Sequence, residues 1–130
     1  MRKIIFISML IVLAALLVAC GSAATPAATT SSKPVNIKVE TNPTPAVMGA
    51  MELVLMITDA DGKPIEGATV DVSAEHTDMS GMDMSGVATD QGGGRYSIRP
   101  NFSMSGNWKL TVYVRKDGLD YKEEIELPVR

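Results

Sequence analysis

Three copies of Met-Ser-Gly stand in this chain, at Met79-Ser80-Gly81, Met84-Ser85-Gly86 and Met104-Ser105-Gly106. The first two lie in tandem within residues 78–86, with Met82 between them and His76 just ahead. A stretch so rich in Gly and Ser, with no apolar period, reads as a loop rather than as a strand or helix. Thioethers on a loop have a specific chemical use. The sulfur of Met is soft and neutral, and it selects Cu(I) or Ag(I) over hard cations and over zinc. It carries no proton to lose, so binding survives modest acidity, and disulfide formation cannot consume it. The imidazole of His76, three residues before Met79, would add a stronger donor and admit some Cu(II). The expected metal ligands are therefore His76, Met79, Met82, Met84 and Met104, and the expected cofactor is copper, with Cu(I) favoured.

A second use of the same residues stays open. Flexible, polarisable Met side chains also make adaptable contact surfaces, so docking of Met79, Met82 and Met84 onto a protein partner is the lesser alternative. Met104 could plug the end of a core beside Trp108. Met48 and Met51 read as core or rim, because Met51 opens an apolar run. Asp78 and Asp83 keep the loop soluble, or meet Cu(II).

Composition removes other chemistries. One Cys and one His, against nine Met, exclude an intrachain disulfide framework, a Cys-based zinc finger and a His₃ zinc centre. Blue copper needs two His and a Cys, and the one Cys lies far away in the N-terminal segment. A net charge of −3 leaves no footprint for nucleic acid. The chain has no nucleophile–base pair with a His to spare, no suggested carboxylate dyad and no phosphate loop, so no enzyme is expected. Asp59-Ala60-Asp61-Gly62 resembles the start of a calcium loop, but the later ligands and the Glu at position 12 are missing, which leaves a turn.

The elements that must carry the methionines begin after an address. Arg2 and Lys3 precede an apolar run from Ile4 to Ala19 broken only by Ser8, short of a membrane span and suited to a secretory signal. The run ends in Leu17-Val18-Ala19-Cys20, which resembles the lipobox of bacterial lipoproteins. That resemblance implies cleavage before Cys20 and lipid on its sulfur. Residues 1–19 are then a signal peptide and 20–34 a lipidated Cys with a flexible tether, since GSAATPAATTSSKP is too poor in apolar residues to pack. The expected location is extracytoplasmic, anchored to the cell membrane, or to the outer membrane of a cell with two.

Residues 35–130 suffice for one domain, and they read as strands. Val35, Ile37 and Val39 alternate with polar residues, and Met51–Thr58 is apolar nearly throughout. Further strand-like runs occupy residues 68–74, 87–90, 96–99, 108–115 and 121–129, with Gly92-Gly93-Gly94 and Asp117-Gly118 as hairpin signals. About seven short strands predict an all-β, immunoglobulin-like β-sandwich, without the Cys…Trp…Cys hallmark. If they run up and down, the first, third and fifth connections share one end. That end would collect every Met after Cys20 except Met56, while the Gly-rich turns fall at the other.

Several of these segments resemble one family. Asp61-Gly62-Lys63-Pro64-Ile65-Glu66-Gly67-Ala68, the Met-rich loop, Gly94-Arg95-Tyr96 and Phe102-Ser103-Met104-Ser105-Gly106-Asn107-Trp108 are similar to the YtkA-like domain, akin to FixH-like proteins, over residues 35–130. The resemblance implies an Ig-like extracytoplasmic domain associated with copper handling, in some members near cytochrome oxidase assembly. It implies that Met79, Met82, Met84 and Met104 carry the metal, with His76 as the candidate imidazole. FixH-like members have a membrane helix where this chain has a lipobox. The expected function is a membrane-anchored Cu(I) chaperone, carrier or buffer, serving oxidase assembly or copper resistance through a copper-donating or copper-receiving partner. The alternative is a metal-free interaction module that docks on a membrane or surface complex through the Met loop.

Overall fold

The computed structural model describes residues 33–130. The expected signal peptide, Cys20 and most of the expected tether lie outside the described residues.

Alternation of apolar and polar side chains lets a strand bury one face. In chain order the strands are β1 (Val35–Asn42), β2 (Gly49–Ala50), β3 (Glu52–Asp59), β4 (Thr69–His76), β5 (Asp83–Asp90), β6 (Arg95–Ile98), β7 (Asn101–Phe102), β8 (Gly106–Lys116) and β9 (Leu119–Val129). The alternation is plain in β1, β4 and β9, whereas β3 is apolar nearly throughout. The seven long strands hydrogen-bond in the order β1-β3-β6-β5-β4-β8-β9, and β2 pairs with β7 apart from them. Every pairing is antiparallel. With the long strands lettered A to G the order is A-B-E-D-C-F-G, the immunoglobulin arrangement of two layers. β5 forms the corner: residues 83–88 pair with β4, whereas only Thr89 and Asp90 pair with β6. The expected all-β, seven-stranded sandwich is the fold observed.

One local expectation is corrected. The tandem motif was expected to be loop to residue 86, yet β5 begins at Asp83, so Met84-Ser85-Gly86 is strand. Its inward positions are Met84, Gly86 and Ala88. A glycine between two small or flexible residues hides an alternating pattern. At Gly86 the missing side chain is replaced by Ile98, whose Cδ1 would stand 2.9 Å from a Cβ there. The true loop runs from Thr77 to Met82, closed by the His76 N–H donating to Met82 O at 3.0 Å.

The core divides along the strands. Toward the Gly-rich turns it holds Val35, Leu55, Ile57, Val70, Val72, Tyr96, Val112 and Val114. The Tyr96 hydroxyl accepts from Ala68 N–H at 3.0 Å and donates to Ile65 O at 2.8 Å, pinning the β3–β4 connection. Gly94 packs so closely that a Cβ would lie 2.6 Å from Ile57 O. The resembling segments 61–68 and 94–96 are thus a structural latch at the end remote from the methionines. Asp59 closes the turn that opens the first of them, its Oδ1 accepting from the N–H groups of Asp61 and Lys63.

Candidate metal site at the methionine end

Strict alternation of strand direction puts the β1–β3, β4–β5 and β6–β8 connections at one end. The core there holds Ala46, Met51, Leu53, Ala74, Phe102, Trp108, Leu110 and Val129. Met82, Met84 and Met104 are half-buried and pack against this same cluster. Met82 from the β4–β5 loop, Met84 from β5 and Met104 from the β6–β8 connection thus pack on one apolar cluster.

Each is set by a different element. Met84 faces inward from β5, opposite Ala74 of β4, and lines a cleft of about 420 Å³ where β5 and β6 part. Met82 ends the β4–β5 loop, and its sulfur lies 3.9 Å from the Ser103 hydroxyl, which donates to it. That contact links the β4–β5 loop to the β6–β8 connection. Met104 sits in the bend before β8, its carbonyl accepting from Trp108 Nε1 at 3.2 Å. The short β2–β7 ladder, Gly49 with Phe102 and Ala50 with Asn101, ties the first connection to the third. Two-residue ladders leave no period in a sequence, and nothing there announces this one.

Met79, at the tip of the loop, is 47% exposed and does not pack on the cluster. Met48 is 54% exposed, its N–H donating to Arg130 O, while Met51 is buried core. Met56 lies on β3, away from this end, paired in register with Lys38 and Arg95.

His76 is the last residue of β4, at the entry to the β4–β5 loop. It is buried, at 5% exposure, and Trp108 meets it edge-on at 5.0 Å. Nε2 lies 3.1 Å from Ser105 O, and Nδ1 lies 3.2 Å from the Asp78 N–H. A carbonyl only accepts and an amide only donates, so Nε2 carries the hydrogen and Nδ1 offers its lone pair. Both nitrogens are spent on the protein. The partners are backbone groups, which is why side-chain types along the chain gave no sign of them.

Among the described residues no three His, Cys, Asp or Glu side chains gather as a metal-holding group. The donors gathered at this end are thioethers, a set that fits a soft monovalent cation and offers little to a hard one. A family model described as YtkA-like matches residues 29–113. No curated protein and no solved structure matches the chain.

Proposed function

The chain belongs to the YtkA-like family, and from that premise we propose an extracytoplasmic copper protein that holds Cu(I) at its methionine end. Lipid on Cys20 anchors it to the membrane, and it acts as a chaperone, carrier or buffer for a copper-donating or copper-receiving partner, in oxidase assembly or copper resistance. The observation that carries this reading is the packing of Met82, Met84 and Met104 on one apolar cluster, with Met79 exposed on the adjoining loop. Neutral sulfur donors over an apolar floor favour a soft, weakly hydrated monovalent cation such as Cu(I). Copper is here a cargo, and a site at a loop-bearing end of the sandwich allows it to be handed on.

The test is an anaerobic Cu(I) titration of the full chain against a competing chelator. A variant with Met79, Met82, Met84 and Met104 all changed to Leu is titrated beside it. The parent should take Cu(I) from the chelator and the variant should not. Equal uptake by both, or none by the parent, would sink the copper reading. The exposure of Met48 and Met79 supports a second reading, a metal-free module that docks on a partner through this end. In that case the Leu variant keeps its partner, since Leu roughly conserves the volume.

A further inference from the structure

We propose that His76 is a positioning residue of the metal site and not one of its ligands, so that the site takes monovalent soft cations and turns Cu(II) away. The proposal rests on the Cu(I) reading above and narrows it to one oxidation state.

The geometry closes both ring nitrogens. For Nε2 to bind a metal it would have to give up its proton and face the Ser105 carbonyl, 3.1 Å away, as one lone pair against another. For Nδ1 to bind, the Asp78 N–H at 3.2 Å would lose its acceptor. Either move takes from a backbone group the partner it has in the fold.

The two bonds have a second consequence. Ser105 follows Met104 in the third Met-Ser-Gly segment, and Asp78 precedes Met79 in the first. One imidazole therefore holds the β4–β5 loop and the bend before β8 in a fixed relation. The third segment is shaped to receive the ring. Gly106 adopts φ +133°, and a Cβ there would lie 2.4 Å from His76 Nε2. The Gly of Met104-Ser105-Gly106 is thus explained by the imidazole it accommodates. With that imidazole engaged, the donors left are the thioethers, which suit Cu(I) and Ag(I), and the exposed Asp78 and Asp83 carboxylates, so Cu(II) is without the nitrogen it prefers.

The full chain, labelled with ¹⁵N in His and ¹³C in the Met methyls, is titrated with Ag(I) and followed by NMR. The methyls of Met82, Met84 and Met104 should shift, while His76 keeps a protonated Nε2 and an unprotonated Nδ1 throughout. A shift of either imidazole nitrogen in step with the methyls would overturn the inference and leave the metal reading intact. No methyl shift at all would overturn both.

Two further variants separate positioning from folding. Gly106→Ala keeps every thioether but displaces the ring, and should weaken Ag(I) binding by roughly 10–100-fold at unchanged stoichiometry, the effect of disturbing a ligand's support. His76→Gln, whose amide can still donate toward Ser105 O, should retain more affinity than His76→Ala. Loss of one equivalent of sites in His76→Gln would contradict the proposal. So would a Cu(II) complex of the parent whose electron paramagnetic resonance carries imidazole nitrogen coupling.

Discussion

Trp108 stands between the core and the methionines, and it is the one tryptophan of the chain. Its ring packs edge-on against Phe102 at 5.0 Å and against His76 at 5.0 Å, while Nε1 donates to the Met104 carbonyl. An indole so placed reports on Met104 directly. Uptake of Ag(I) should therefore change the emission of Trp108 and reach its end point at the stoichiometry of metal bound. Emission that stays constant while metal is taken up would show that Met104 does not move or ligate. The methionines themselves should be nearly silent in folding. Met82→Leu conserves volume, and its cost in a urea titration should stay below about 1.5 kcal/mol. The donor set was legible at the level of residue type, because soft sulfur prefers a soft metal wherever it stands. The partners of His76 were not, because they are the Ser105 carbonyl and the Asp78 amide, and such backbone groups recur along the chain.

Among the elements, the long strands were legible and the short ones were not. Alternation in β1, β4, β8 and β9 announces which face is buried, and the direction of seven such strands decides where each connection lies. That is how one end came to hold Met48, Met51, Met79, Met82, Met84 and Met104. The pattern failed at β5, where Gly86 has no side chain to mark the inward face and Ile98 fills its place. The opposite end carries its own prediction. Tyr96→Phe removes the hydroxyl that serves both Ala68 N–H and Ile65 O. It should cost about 1–3 kcal/mol in a denaturant titration. Cu(I) uptake should be unchanged, since the methionines lie at the far end of the strands.

The same latch contains Asp90, whose carboxylate accepts from Gly92 N–H at 2.7 Å and from Gly67 N–H at 2.7 Å. Those bonds, the Gly92 one first, hold its pKa below the ordinary carboxylate value. A carboxyl with a depressed folded pKa contributes its stability above the unfolded value, near pH 4, and loses it as pH falls through the folded one. Asp90→Asn should flatten the acid side of the stability profile below about pH 4. A denaturation midpoint that falls equally steeply in both proteins over that range would contradict the assignment.

At the scale of the whole molecule, the sheet runs from β1 to β9 and nearly closes on itself. The seam is a groove lined by Ile37 and Val39 on one side and Ile125 and Leu127 on the other. Two open strand edges invite pairing with another chain, and charged residues that point inward are one defence. Glu123 is such a residue. It occupies an inward position of β9, its side chain is 16% exposed, and Lys33 meets it at 2.7 Å. Pro128 near the end of β9 is a second defence, since it offers no N–H to a new neighbour. Glu123→Val should therefore increase self-association, read by sedimentation velocity across a concentration series. A variant that sediments as the parent does at every concentration would remove Glu123 from this role.

Guarded strand edges, a latch at one end and methionine sulfur at the other describe the sandwich. The claim that matters most is that the methionine end binds copper as Cu(I) through thioethers alone. X-ray absorption at the copper edge, on the full chain loaded anaerobically with Cu(I), reads that directly. The account predicts Cu(I) with a first shell of sulfur only and none of the multiple scattering that an imidazole produces. A shell containing nitrogen or oxygen from the protein, or a chain that retains no copper to measure, would contradict it.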